Sequence, residues 1–267
     1  MTANLHQLAD ANLIEAIREH ARWQEDAVCV EQDGLLLMAG GNATPIAFRN
    51  CAARLDPRLS AEEALAHARA FFARFRRGFT LMLRASVDAD LAAQAAAAGL
   101  LPRGESPCML IDTPLTEPLL PPGVRIARFD SERQVRDAVR INAEAYQSMK
   151  LPAAEAEGYF SRPSALLTPR VHGFVAYRGD EPVSTALTIV SGESAGVYWV
   201  GTVAAARGAG LAEACTRLAT NAGFAAGARV VTLQASPFGE PIYRRLGYRV
   251  YDTYMSFMQL PPKAGAA

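Results

Sequence analysis

Pro114, Pro118, Pro121 and Pro122 crowd the stretch from Asp112 to Val124 and limit what this chain can fold into. Proline fixes φ and has no amide proton, so neither a helix interior nor a central strand runs through such a stretch. Residues 113–123 therefore read as a linker between 1–112 and 124–267. The two sides share an order of elements. Ser60 to Arg77 is predicted as a helix with a Ser60/Glu63 capping box, closed by Gly78, and Gly210 to Ala226 is a helix closed by Gly227. A strand follows each, Phe79 to Arg84 and Arg229 to Gln234. Leu83-Arg84-Ala85-Ser86 aligns with Leu233-Gln234-Ala235-Ser236, 150 residues on, and Gly99-Leu100 with Gly247-Tyr248, 148 residues on. Solenoid repeats recur every ~20–50 residues, so this spacing means two copies of one fold unit, the first shortened at its front. Ala92 to Ala98 is low in complexity and helix-forming.

The second half is the more regular. Val124 to Phe129 reads as a strand and Ser131 to Tyr146 as a helix capped by Ser131. Val171 to Tyr177 and Val183 to Val190 form a hairpin across Arg178 to Pro182. Gly196 to Val203 is a third strand, Pro241 to Leu246 a short helix and Tyr254 to Leu260 a final strand. Leu211, Cys215, Leu218 and Ala222 give the long helix its apolar stripe.

Composition narrows the function. Lys+Arg and Asp+Glu both number 27, half the residues are hydrophobic and 20% are charged, the profile of a globular protein. That balance speaks against nucleic acid, since the densest basic run, Arg74 to Arg77, only ends a helix. Cys29, Cys51, Cys108 and Cys215 form no CxxC pair, so neither a zinc site nor a disulfide framework is expected, and no metal is implied. No apolar run nears the ~20 residues that cross a bilayer, and Met1 to Asp10 lacks the order of a signal peptide. The expectation is a soluble, cytoplasmic chain that binds no membrane.

The chemistry should lie where the two copies differ. The second copy runs from strand to helix through Val203-Ala204-Ala205-Ala206-Arg207-Gly208-Ala209-Gly210-Leu211-Ala212. Gly208 and Gly210 let successive N–H groups converge on an anion where the unpaired amides and dipole of the helix start add positive potential. The first copy has Asp56-Pro57-Arg58-Leu59-Ser60 there, with no glycine, a missing donor at Pro57 and a repelling carboxylate. It should bind no pyrophosphate. The Walker A pattern is absent, and GxGxxG fails at Glu213.

The loop resembles the acetyl-CoA signature [QR]xxGx[GA] of the GCN5-related N-acetyltransferases (GNATs), matched by Arg207, Gly210 and Ala212. The likeness extends in order through strand Tyr198 to Val203, the signature, its helix, strand Val230 to Gln234, and Ile242-Tyr243-Arg244-Arg245-Leu246-Gly247-Tyr248, which looks like the family's YxxLGF segment. It covers about Val124 to Leu260. The upstream half looks like a degenerate copy, similar to tandem members of the family. The fold so implied is α/β (α+β), two GNAT-like units, each a mixed, mostly antiparallel sheet flanked by helices. By this resemblance Arg207, Gly208, Ala209, Gly210, Leu211 and Ala212 hold the CoA pyrophosphate. Thr202 and Val203 pair with the pantetheine amides, and the Val203 N–H faces the thioester carbonyl as oxyanion donor. Tyr243 corresponds to the general acid for the departing thiolate, or else is a core aromatic. Arg207 either adds charge or is merely solvated. Ser236 bonds the cofactor or caps the next turn.

The resemblance implies an acetyltransferase acting on a small-molecule or peptide amine, by direct attack in a ternary complex. The alternatives are a non-catalytic acyl-CoA-binding or regulatory module and a plain interaction scaffold. Strand Val197 to Thr202 carries no acid, where family members often place a glutamate. Deprotonating a lysine-like amine at pH 7 requires about 4.6 kcal/mol against about 1.4 for an α-amino group, so a weakly basic acceptor fits. Glu144, Tyr146, His172 and Glu193 are the remaining base candidates. Tyr146, Met149 and Tyr159 fall where the family roofs the acceptor pocket, with Trp199 as a wall. The first half has three open roles: covering a sheet edge, lining the acceptor pocket or forming a homodimer surface.

Overall fold

A computed structural model of the chain describes residues 4–262. The first half contains α1 (Leu5–Trp23), β1 (Val28–Gln32), β2 (Leu35–Ala39), β3 (Asn50–Arg54), α2 (Ala61–Ala73), β4 (Phe79–Arg84), α3 (Ala89–Ala97) and β5 (Leu101–Ile111). The second contains β6 (Val124–Arg128), α4 (Glu132–Ala145), α5 (Ala153–Gly158), β7 (Val171–Arg178), β8 (Glu181–Ser191), β9 (Ser194–Thr202), α6 (Leu211–Ala225), β10 (Val230–Gln234), α7 (Glu240–Arg245) and β11 (Arg249–Gln259). No helix or strand lies between Ile111 and Val124. No helix among the described residues is long and apolar enough to cross a membrane.

The chain divides into two compact units that are not its two halves. One comprises the chain up to Ala16 together with Met109–Arg249; the other comprises Ile17–Cys108 together with the chain from Val250 onward. The second of these units has strand order β1-β2-β3-β4-β11-β5. There β11, the last strand of the sequence, runs antiparallel to β4, Tyr254 opposite Arg84 through Gln259 opposite Phe79. β3 and β4 are parallel and joined through α2. The Ser60/Glu63 capping box forms as the sequence predicts, with Ser60 Oγ accepting from Glu63 N–H at 3.2 Å. The helix nonetheless ends at Ala73, because Arg76 takes the left-handed φ of 54° and Arg77 N–H turns back to the Phe72 carbonyl. Its core gathers Leu35, Leu37, Leu65, Phe72, Phe79, Leu81 and Leu91.

The other unit is ordered β10-β9-β8-β7-β6, with Met109–Ile111 of β5 beside β10, where Thr232 Oγ1 donates to the Met109 carbonyl at 3.0 Å. β6 to β9 are antiparallel; β9 and β10 are parallel and joined through α6. In both units, then, a mixed, mostly antiparallel sheet is flanked by helices. Ser131 and Gln134 cap α4, whose Val135, Ala138, Ile141, Asn142 and Ala145 turn inward at helical spacing. Asp137 is buried among them, with Tyr177 Oη donating to it at 2.6 Å. The buried face of α6 is Leu211, Cys215, Ala219 and Gly223, rather than the predicted stripe through Leu218 and Ala222, which are half-buried. Thr216 and Thr220 can join that face because each hydroxyl donates to the carbonyl four residues back.

Candidate functional site

The cavity of the β6–β10 unit, about 470 Å³, opens between the downstream end of β9, the start of α6 and α7. Of the residues singled out in the sequence, Tyr146, Met149, Thr202, Arg207, Gly208, Gly210, Leu211, Ala212, Ser236 and Tyr243 line it together. Val200, Gly201, Phe238 and Ile242 line it as well and were not foreseen.

The floor is the glycine loop. A short 3-10 turn, Ala204–Ala206, follows β9, and Gly208 and Gly210 then take φ of 78° and 75°. That left-handed conformation is open to glycine and strained for other residues. After Arg207 the next backbone hydrogen bond is Ala214 N–H to the Gly210 carbonyl. The N–H groups of Gly208 to Glu213 thus find no backbone acceptor, the arrangement that receives an anion at a helix start. A Cβ built on either glycine would meet nothing within 4 Å, so it is the backbone conformation rather than crowding that calls for glycine there. Ala209 contributes an amide while its side chain packs toward the core. Glu144 Oε1 accepts from Ala204 N–H at 2.8 Å and so ties the end of α4 to the start of this loop.

The wall is the open edge of β9. Strand β10 pairs with it only at Ser194, Ala195 and Gly196, and does not run alongside the end of β9 at Val200 to Thr202. One sequence expectation fails here. Val203 N–H donates to the Val183 carbonyl at 3.0 Å, so it is already used and is no donor to a thioester. Backbone groups of successive strand residues alternate in direction, so Gly201 also faces β8 and Thr202 the open edge, while Val200 lines the cavity. Thr202 shows this directly, its carbonyl accepting from Arg207 Nε at 3.3 Å. The cause is a bulge: Thr185 lies opposite Gly201 and Leu187 opposite Tyr198, so Trp199 and Val200 share the single partner Ala186. A one-residue shift exchanges the two edges of a strand. Without it Val203 would face the cavity, as the even spacing of the sequence suggests.

Trp199 does not wall the cavity. It is buried, with ring centroids of Tyr146, Tyr159 and Phe160 at 5.1, 4.9 and 4.8 Å. Ser236 keeps its turn role as well, its Oγ accepting from Gly239 N–H at 3.1 Å. Tyr243 lies against Gly239, where a Cβ would come within 2.7 Å of the ring and 3.1 Å of the hydroxyl. Burial holds the Tyr243 phenol above its ordinary pKa. Tyr146 is raised too, by burial and then by Tyr243 nearby. Of the other base candidates, Glu144 holds the loop, His172 contacts Arg128, and Glu193 sits at the β8–β9 turn 3.5 Å from Arg229; none of the three lines the cavity.

A mixed sheet opened between two parallel strands, with a glycine loop leading into the helix that joins them, is the fold of the GCN5-related N-acetyltransferases. One such enzyme from Kribbella flavida is 22% identical, with a TM-score of 0.73 over 100% of this chain and 98% of its own. A second, from Sphaerobacter thermophilus, is 17% identical, with a TM-score of 0.64 over 96% and 93% of the two chains. A tandem GNAT protein from the clavulanic acid biosynthesis pathway, solved without acetyl-CoA, is 14% identical, with a TM-score of 0.64 over 96% of each. No sequence-family model and no curated protein matches the chain.

Proposed function

We propose that the chain is an N-acetyltransferase that moves the acetyl group of acetyl-CoA to a primary amine by direct attack in a ternary complex. The observation that carries this reading is the single cavity uniting the unpaired amides of the glycine loop, the open edge of β9 and the Tyr243 phenol. The loop amides receive the pyrophosphate, with Arg207 adding charge. The Val200 and Thr202 backbones pair with the pantetheine arm and supply the N–H that meets the developing oxyanion. The amine nitrogen bonds to the thioester carbon, the C–S bond breaks, and the sulfur takes the Tyr243 proton. The proton shed by nitrogen then restores the phenol.

The acceptor this cavity suits is weakly basic. Among its lining residues the ionisable groups are Tyr146, Arg207, Glu213, Tyr243 and Arg245. Glu213 is held by Arg217 at 2.9 Å, with Arg245 at 4.0 Å, at the phosphate end. Both phenols, raised by burial, stay protonated through neutral pH and cannot serve as base there. The amine must therefore arrive neutral. CoA titration and thiol release with a set of amines test the proposal. We expect binding, release, and a kcat/KM that climbs with pH along each amine's own titration, levelling above about pH 8 for an α-amino acceptor and still rising there for a lysine-like one of pKa about 10.4. Binding without release from any amine would leave an acyl-CoA-binding module. A pH midpoint that ignores the amine's pKa would place the base on the protein.

A further inference from the structure

We propose that Trp199 is a positioning residue, its indole clamped by Tyr146, Tyr159 and Phe160 so that the β9 bulge presents the Val200 and Thr202 amides, rather than that of Val203, to the cavity. This rests on the acetyltransferase reading. Its starting point is backbone strain. Trp199 adopts φ 53° inside a strand, a left-handed conformation that disfavours any residue with a Cβ and a bulky one most. Such a conformation persists only where the surroundings over-determine it.

Here the surroundings are the three rings at 4.8–5.1 Å, brought by the segment that follows α4. Two of them, Tyr159 and Phe160, are buried, and the third, Tyr146, also lines the cavity. Aromatic pairs at such separations stabilise beyond the area they bury. The clamp thus opposes the strain at Trp199 and holds the extra residue opposite Ala186. Because a shift of one residue exchanges the strand's edges, this indole decides which amides face the ligand. Tyr146 belongs to both the clamp and the cavity wall, so the acceptor side and the oxyanion side share one aromatic cluster.

The test separates positioning from folding. Glycine suits φ 53° but offers no ring, so Trp199→Gly keeps the bulge accessible while releasing it. CoA, acetyl-CoA and S-ethyl-CoA, which has no carbonyl oxygen, are titrated by calorimetry into wild type, Trp199→Gly and Trp199→Phe. We expect wild type to prefer acetyl-CoA over S-ethyl-CoA about fivefold, as one hydrogen bond gives. Trp199→Gly should bind CoA within about twofold of wild type, lose that preference, and show kcat lowered about 100-fold, as when an oxyanion donor is removed. Trp199→Phe should regain most of the preference. A glycine variant that keeps both preference and kcat overturns the proposal. So does one that loses CoA itself, which would mark Trp199 as merely structural. Wild type blind to CoA would overturn the acetyltransferase reading, and with it this inference.

Discussion

Tyr243→Phe is expected to lower kcat about 100-fold or more while the KM for acetyl-CoA moves less than about threefold, the signature of a group acting in the transition state. The substitution removes one oxygen from a ring held against Gly239 and leaves that packing in place. A phenol of ordinary pKa about 10 giving its proton to a thiolate of about 8.5 is uphill by ~2 kcal/mol. Burial pushes Tyr243 higher still, which alone would widen the gap. The thiolate leaves into the same cavity, however, and low polarity penalises it for the same reason. Only the difference between the two anions opposes transfer, and delivering the proton as the C–S bond breaks avoids forming either one free. Single-turnover measurement of the chemical step decides the matter. An unchanged chemical rate would return Tyr243 to the status of a core aromatic.

Gly208→Val should weaken CoA binding about 100-fold. A β-branched side chain resists φ 78°, so it would displace the loop backbone at a position that lines the cavity. Each hydrogen bond from an amide to a charged oxygen contributes about 1.5–3 kcal/mol, so displacing one or two accounts for the loss. Gly227→Ala is the control. Gly227 has φ 96° and open space around it, but it lies past the end of α6 and does not line the cavity. Calorimetry should find its CoA affinity unchanged while thermal unfolding finds it destabilised. Equal affinity in Gly208→Val and wild type would mean that the loop does not hold the pyrophosphate.

What could be read in advance was local. The glycine loop is legible because left-handed turns and helix starts are written in adjacent residues, and Gly208 to Ala212 stand where the sequence suggests. Strands β6 to β10 follow from short apolar runs between turns. In the first half α1 escaped notice because its inward face carries Asn12, Glu19 and His20, which break the apolar periodicity. The extra residue in β9 was illegible for another reason. Nothing in Val197 to Thr202 announces that Trp199 turns left-handed, since the rings that hold it come from residues 146, 159 and 160. The error at Val203 follows from that single fact. The pairing of β11 with β4 likewise depends on partners more than 160 residues apart, beyond any local signal.

That pairing governs the order in which the protein can be made. Residues Ile17–Cys108 leave the ribosome before any of β6 to β10, yet their sheet lacks β11 until Gln259 has been synthesised, so a unit mostly made early closes late. The cavity-bearing unit, conversely, draws on the chain up to Ala16, made long before its own strands. The first half therefore cannot be discarded without taking part of the cavity-bearing unit with it. Cutting the gene between codons 113 and 123 would give two products, each without strands or helix turns that the other retains.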